Sequence, residues 1–298
     1  MPPWRFDAGN SGVLQDSEPG DAGEAVALPA RWSMVIAYYN EAAFLRATLD
    51  SLAEQTLRPL TLILVDNGST DAGPAIAADW AARHRDIRTI LMVEACPGQV
   101  HALAAGIAEV ATPLVAIGDA DTFYPPDYLA RADRAFAADP GVVAVFAHDS
   151  AGNPHGWRER LVRRLRDIVL IGAWRGQTYG GGYAHAFRTD ALRAAGGYSA
   201  TAWPYVLKDH ELVHRVSKQG RFGRTPGHWV RPSDRRVDRS GVRWTLFERI
   251  LYHATPYAAM DWFFYRFLGP RLAARGMKDT VLRQRQWAPA ISDPAPPN

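Results

Sequence analysis

The sequence predicts an α/β fold: a mostly parallel sheet flanked by helices, with a helical C-terminal extension. Three observations carry the prediction. Short apolar runs alternate with amphipathic stretches from residue 33 to 147. Polar, turn-forming residues gather where those runs end. The single cysteine, Cys96, excludes an internal disulfide, and no Cys/His cluster has zinc-ligand spacing, so a hydrophobic core must organise the chain. At 298 residues, 47% hydrophobic and 22% charged, with 25 Gly and 21 Pro, the composition suits a globular protein and excludes fibrous or wholly disordered classes.

Residues 1–31 are rich in Gly, Asp, Glu, Pro and Ala, lack a secretory start, and are expected to form a flexible leader. Order is expected from Trp32, with Ser33–Tyr38 reading as a buried parallel strand. A helix from Glu41 to Glu54 follows, with Phe44, Leu45, Leu49 and Leu52 on one stripe. The unit repeats, giving strands at Leu60–Val65, Ile87–Val93, Pro113–Ile117 and Val142–Ala147, and helices at Pro74–His84, Gln99–Val110 and Asp127–Ala138. Gly180-Gly181-Gly182-Tyr183 then precedes a strand at Ala184–Phe187, and Thr189 opens a capped helix ending near Gly196-Gly197. Another helix starts at Lys208 and runs to Gln219.

Charge is unevenly spread. Residues 1–150 carry nine basic against 20 acidic side chains, whereas residues 151–298 carry 25 against 11. Only three of these cations are lysines, and arginine grips phosphate and carboxylate through a bidentate fork, so an anionic partner is expected near the second half. No nucleic-acid-binding signature accompanies the charge, so nucleic acid is not the expected partner. Neither a Rossmann G-x-G-x-x-G nor a P-loop is present, which removes the commonest dehydrogenase and NTPase readings.

In open parallel sheets, ligands bind outside the carboxyl ends of the strands. Three such ends are polar: Tyr38-Tyr39-Asn40-Glu41, Asp66-Asn67-Gly68-Ser69-Thr70-Asp71 and Gly118-Asp119-Ala120-Asp121. Each alone also reads as local architecture, with Asn40 as a helix N-cap, Asp66-Asn67-Gly68 as a turn and Asp121 as a turn residue before Pro125-Pro126. Together they point to one rim. Asp119 and Asp121 form a D-x-D pair, and two carboxylates this close repel unless a cation joins them. Mg²⁺ or Mn²⁺ held by such a pair together with substrate phosphates implies a metal-bound diphosphate.

Over residues 32–125 the chain resembles the family 2 inverting glycosyltransferases, which have the GT-A, Rossmann-like fold. The matching stretches are Val35-Ile36-Ala37-Tyr38-Tyr39-Asn40-Glu41, Leu64-Val65-Asp66-Asn67-Gly68-Ser69-Thr70-Asp71, Gly98 through Gly106, and Gly118-Asp119-Ala120-Asp121. The resemblance implies a nucleotide-diphospho-sugar donor, with Tyr38 and Glu41 lining the nucleotide, Asp66 facing its base and Asp119 near the ribose. It also implies that Asp121 and Asp119 hold Mg²⁺ or Mn²⁺, and that Gly98 and His101 belong to the donor side. Asn67 stands where the family has a second acid, and Cys96 and Ala104 where it tends to have Asn.

Lys208-Asp209-His210-Glu211-Leu212 is similar to the family's acidic pair at the acceptor site, with Lys208 in place of the first acid. By that likeness Asp209 is the catalytic base and Glu211 the second candidate. Inverting displacement needs a carboxylate to take the acceptor hydroxyl's proton on the face opposite the departing nucleotide. Both acids equally read as first-turn residues favoured by the helix dipole. Ser233-Asp234-Arg235-Arg236 is similar to a basic stretch in some members, implying that Arg235 and Arg236 close on the diphosphate, with His228 an added metal or phosphate contact.

The expected organisation is a leader over 1–31, a glycosyltransferase domain over 32–230 with a nucleotide-binding half at 32–125 and an acceptor half at 126–230, and a basic, aromatic-rich extension over 231–298. Trp157–Trp174 has the composition of a basic amphipathic helix, and Trp244–Leu272 mixes aromatics with arginines. Both suit a membrane surface, packing on the catalytic domain or a homo-oligomer contact. The acceptor is expected to be a glycan or a lipid-linked precursor, and the protein cytoplasmic with peripheral contact to the cytoplasmic membrane face. A non-catalytic nucleotide- or carbohydrate-binding protein is the alternative, motivated by Asn67, Ala104 and Lys208. A nucleotidyltransferase would want a glycine-rich, basic phosphate loop after the first strand, which is absent.

Overall fold

The computed structural model describes residues 30–149, 184–223, 225, 227–233 and 245–280. The leader apart from its last two residues, the stretch Trp157–Trp174, the Gly180–Tyr183 run and Arg235 with Arg236 lie outside them.

Strand β1 (Trp32–Tyr38) is flanked in parallel by β2 (Leu60–Asp66) and β4 (Leu114–Asp119), and β3 (Arg88–Val93) extends the β2 side, also in parallel. Beyond β4 the sheet turns mixed, because β8 (His185–Arg188) runs antiparallel to both β4 and β6 (Val142–Phe146). With β9 (Arg221–Gly223) at the far edge, the seven strands stand in the order β3-β2-β1-β4-β8-β6-β9. A small second sheet orders β5 (Thr122–Phe123), β10 (Trp229–Pro232) and β7 (His148–Asp149), with β10 central.

Both faces of the main sheet are covered, which is why β1 and β2 are buried along their whole length. The pleat sends Trp32, Met34 and Ile36 to one face, where α1 (Leu45–Ala53), α2 (Gly73–Arg83) and α4 (Tyr128–Ala138) pack. Val35, Ile63 and Val65 point to the other face, against α3 (Gln99–Ala108), α5 (Thr189–Ala194) and α6 (Lys208–Ser217). Helix α3 comes unusually close to the sheet. A Cβ on Gly106 would lie 2.5 Å from a Val35 methyl and 2.9 Å from one of Val65, so only glycine fits there.

A third core joins the C-terminal region to the body. Trp203 and Val206 pack with Tyr252 of α7 (Leu246–Ala254), with Phe263, Phe264 and Leu268 of a π-helical turn (Trp262–Leu268), and with Leu272 of α8 (Gly269–Ala274). The aromatic tail therefore divides: Tyr252, Phe263 and Phe264 are core, while Phe247 and Trp262 are half or more exposed. Thr245 and Glu248 form a reciprocal capping box at the start of α7. The same Glu248 carboxylate, fully buried, also accepts from Arg271 (3.2 Å) and Arg275 (2.8 Å).

One expected helix start moves. Helix α1 begins at Leu45 rather than Glu41, and its N-cap is Phe44, which makes no side-chain cap. Asn40 does not cap it. Its backbone is left-handed (φ 54°) and its side-chain oxygen instead accepts from the backbone N–H of Thr70 at 2.8 Å, tying the first loop to the second.

Candidate functional site

Parallel register brings the strand ends to one rim. Tyr38 pairs with Asp66 across β1 and β2, and Ala37 pairs with Asp119 across β1 and β4. The loops that leave this rim hold one another. Asp71 accepts from the backbone of Ala42 (2.8 Å) and of Gly73 (2.9 Å), and Asp66 accepts from Ser69 N–H at 2.9 Å. The Tyr38 phenol is held neutral, its pKa raised by burial first and then by the charges of Asp66 and Asp71. Glu41 lies in the first loop, partly exposed.

Asn67 accounts for its own departure from the expected acid. Its amide donates to the carbonyls of Glu94 (2.9 Å) and Cys96 (2.8 Å) and accepts from Gly98 N–H (2.9 Å). A carboxylate could not donate to those two carbonyls. Asn67 thus shapes the loop that carries Gly98 into α3, whose first turn holds His101.

Asp119 ends β4 and accepts from Gln99 of α3 at 3.2 Å, while the Tyr124 hydroxyl accepts from its backbone N–H at 2.9 Å. The turn to Asp121 rests on two buried hydroxyls of α1. Thr48 donates to the Ala120 carbonyl (2.8 Å) and accepts from Thr122 N–H (3.2 Å), and Ser51 accepts from Tyr124 N–H (3.2 Å). Asp121 itself is largely buried and accepts from the Ser233 hydroxyl at 2.8 Å, at the end of β10. Ser233 is the last described residue before the segment carrying Arg235 and Arg236.

The first turn of α6 is linked to this rim through Asp119, whose charge acts on Lys208 and Tyr198. The Asp209 carboxylate accepts from the Tyr198 hydroxyl at 2.7 Å. Burial works against its charge but is outweighed by Lys208, His185, the Tyr198 hydrogen bond and His210, so its pKa lies below the ordinary carboxylate value. Tyr198 is pushed well above its ordinary value by burial and by Asp209, with Asp119 and Asp279 adding to the effect. For Lys208, burial is outweighed by Asp279, Asp209 and Asp119, and its ammonium is stabilised. Asp119 and Asp209, from opposite halves of the sequence, therefore act on the same two side chains.

Two expected roles are corrected. Glu211 is 1% exposed and takes a bidentate pair from Arg215 (2.7 and 2.9 Å) plus the Tyr265 hydroxyl (2.5 Å), so it is a structural ion-pair partner and cannot meet an acceptor as a second base. Arg215 also donates to the carbonyls of Ala195 and Gly197, closing the end of α5. His228 is fully buried, stacked on Tyr128, and burial pulls its pKa down to about 3. It precedes β10, whereas Asp121 bonds to Ser233 beyond the other end, and five residues of extended chain span roughly 16 Å between His228 and Ser233. His228 is not a ligand of the Asp121 site. Among the described residues, no three His, Cys, Asp or Glu side chains gather to hold a metal by themselves.

Sequence reasoning missed Thr48 and Ser51, although two hydroxyls on the buried stripe of α1 were a visible signal. It also missed Tyr198, which follows the glycines that end α5, and Asp279, for which the sequence offers no signal. Among the described residues, no helix is long and apolar enough to cross a membrane.

Residues 33–195, more than half of the chain, match the profile described as Glycosyl transferase family 2. The putative glycosyltransferase EpsH of Bacillus subtilis is 32% identical over 96 residues, 32% of this chain and 27% of that protein. A PGL/p-HBAD biosynthesis glycosyltransferase of Mycobacterium tuberculosis is 38% identical over 101 residues, 34% and 39% of the respective chains. The match thus spans well under half the length of these curated relatives. In fold, the chain is similar to the mannosyltransferase PcManGT from Pyrobaculum calidifontis, solved with GDP-Man and Mn²⁺ (TM-score 0.59, 24% identity, 82% of this chain and 73% of that one). It is also similar to S. aureus TarS, solved with UDP-GlcNAc (TM-score 0.56, 14% identity, 82% and 73%). These likenesses give the architecture its name, the GT-A fold, and the profile match decides the kinship: the chain belongs to glycosyl transferase family 2.

Proposed function

We propose that this chain is an inverting glycosyltransferase that moves a sugar from a nucleoside-diphosphate donor to an acceptor hydroxyl. The observation that supports this best is Asp209, a carboxylate kept ionised and oriented by Tyr198 and acting on the same two side chains, Lys208 and Tyr198, as Asp119 at the end of β4. In the reaction, Asp209 accepts the acceptor hydroxyl's proton as that oxygen bonds to the anomeric carbon. The bond from that carbon to the diphosphate breaks on the other face, and the nucleoside diphosphate leaves with the electron pair.

Tyr38, Glu41 and Asp66 are the nucleoside side of this reading, with Gly98, His101 and Asp119 next to them. The donor set for a cation is hard carboxylate oxygen from Asp121 and Asp119, which suits Mg²⁺ or Mn²⁺ completing its shell with diphosphate oxygens. Such a cation, when bound, supplies positive charge at the leaving diphosphate. Solved relatives in fold carry GDP-Man with Mn²⁺ and UDP with Mn²⁺ or Mg²⁺, which favours the same chemistry here. Arg235 and Arg236 are assigned to the diphosphate by their position after Ser233.

The division into a nucleotide-binding half at 32–125, an acceptor half at 126–230 and an extension from 231 is part of the same proposal. For the acceptor we favour a lipid-linked or polysaccharide-precursor glycan. Leu246, Phe247, Ile250 and Trp262 are half or more exposed, and Arg249 and Arg266 are exposed beside them, a mixture suited to an anionic headgroup surface. Sedimentation with phosphatidylglycerol vesicles but not with phosphatidylcholine vesicles is expected, and equal recovery from both removes the membrane part.

The test of transfer is a thermal-shift panel of GDP and UDP with and without Mn²⁺, followed by nucleoside-diphosphate release from GDP-mannose and UDP-GlcNAc. Stabilisation that requires Mn²⁺, together with release, is expected. Stabilisation without release from any nucleotide sugar favours the non-catalytic alternative.

A further inference from the structure

Beyond α8 the chain turns back to the body. Val206 N–H donates to Met277 O (3.0 Å), Tyr205 and Lys278 form an antiparallel bridge, and Asp279 N–H donates to Pro204 O (3.0 Å). This short ladder carries the Asp279 carboxylate into the gap between α3 and α6. One oxygen accepts from Val100 N–H at the start of α3 (2.9 Å), and the other pairs with the Lys208 ammonium at 3.0 Å. Only 11% of the Lys208 side chain and 8% of that of Asp279 are exposed. Gly98, with φ at 132°, leaves room for this approach, since a Cβ there would sit 3.0 Å from the carboxylate.

A carboxylate at a helix N-terminus is an ordinary cap. What sets this one apart is its second partner. Lys208 immediately precedes the proposed base, and an ammonium so nearly buried must pair with some anion. Asp279 is its ion-pair partner, and the charges of Asp209 and Asp119 also act on it. We propose that Asp279 is a positioning residue for the transfer: by holding the Lys208 ammonium toward α3, it leaves the Asp209 carboxylate open to the acceptor hydroxyl. This rests on the reading of Asp209 given above.

The charged and titratable groups facing Asp209 are Lys208 and His210 on its own helix, His185 on β8, and Tyr198 after α5. Asp119 from β4 and Asp279 from the C-terminal segment act on it through Lys208 and Tyr198. Of these, Lys208 is the one that Asp279 holds in an ion pair, at 3.0 Å.

The test uses the full chain carrying Asp279→Asn, whose amide oxygen can still cap Val100 while the charge facing Lys208 is lost. With Mn²⁺ and whichever donor the wild-type protein cleaves, kcat is expected to fall tenfold or more. KM for the donor should change less than threefold, and the acid limb of the kcat–pH profile should move to lower pH as Lys208 turns onto Asp209. Adding Lys208→Met should recover most of the rate and move the limb back up. A rate loss that Lys208→Met does not relieve, with the limb unmoved, overturns the inference in favour of a purely structural tether. A wild-type rate in Asp279→Asn overturns it as well. A wild-type chain inert toward every donor overturns the transfer reading itself, and the role of Asp279 with it.

Discussion

The two sides of the site are held in different ways. On the proposed donor side, the loops after β1, β2 and β4 are fixed by many neutral or singly charged hydrogen bonds, from Asn40, Asn67, Asp71, Thr48 and Ser51, mostly to backbone groups. On the proposed acceptor side, a few buried charges do the holding: Glu211 with Arg215, and Lys208 with Asp279. A redundant set of small terms tolerates the loss of any one of them. A small set of buried charges does not, because the abandoned partner is left without solvent.

The largest effect should therefore come from the acceptor side. Asp209→Asn should lower nucleoside-diphosphate release by about 10²- to 10⁴-fold, the usual range for a general base, while leaving the thermal shift with nucleotide and Mn²⁺ unchanged. Full activity in this variant would break the comparison at its centre. Next in size, Arg215→Met should destabilise the fold by about 3–5 kcal/mol in urea unfolding, since it strands the buried Glu211 carboxylate. A cost below 1 kcal/mol would mean that Glu211 is not the fixed partner described here.

His228 offers a pH test away from both sides. Its folded pKa is near 3 because burial disfavours the charged ring, against 6.5 when unfolded. The unfolded state then takes up the proton first, so the contribution is fully present above pH 6.5 and lost as pH falls toward 3. About 2 kcal/mol should go between pH 6.5 and 5. In His228→Phe, which keeps a ring over Tyr128, the fall in melting temperature over that window should be visibly smaller. An identical fall would show that other groups carry it. The smallest effect belongs to the donor side: Thr48→Val, which removes the hydroxyl under the D-x-D turn, should cost about 1 kcal/mol and leave nucleotide binding within a few-fold. A loss as large as that of Arg215→Met would erase the distinction between the two sides.

The same contrast decides what could be read from the sequence. Strands β1, β2 and β4 were legible because burial on both faces makes them continuous apolar runs, and Asp66 and Asp119 were legible as polar residues ending such runs. The local alternative for Asn40, a helix cap, could not be dismissed from sequence because its partner, Thr70, belongs to another loop 30 residues on. Glu211 and Asp209 share one helical turn, and nothing local separates a carboxylate held by Tyr198 from one gripped by Arg215, although the i,i+4 spacing hinted at the pair. His228 lay near the basic stretch in sequence, but extended chain spreads five residues over a distance that compact chain would not. Asp279 meets Val100 across 179 positions, a contact that no window of sequence contains.

The buried Glu248 carboxylate has a mechanical implication. It caps α7 and receives Arg271 and Arg275, so the beginning and the end of the segment from Thr245 to Arg275 are fastened at one point. A stretch clasped at both ends tends to open all at once as one cooperative unit instead of fraying turn by turn. Asp279 lies only four residues past the clasp, so whatever loosens Glu248 also slackens the strand that delivers a carboxylate to Lys208. Disturbance of the outer face of the extension is thereby expected to reach the Lys208–Asp279 pair beside the proposed base.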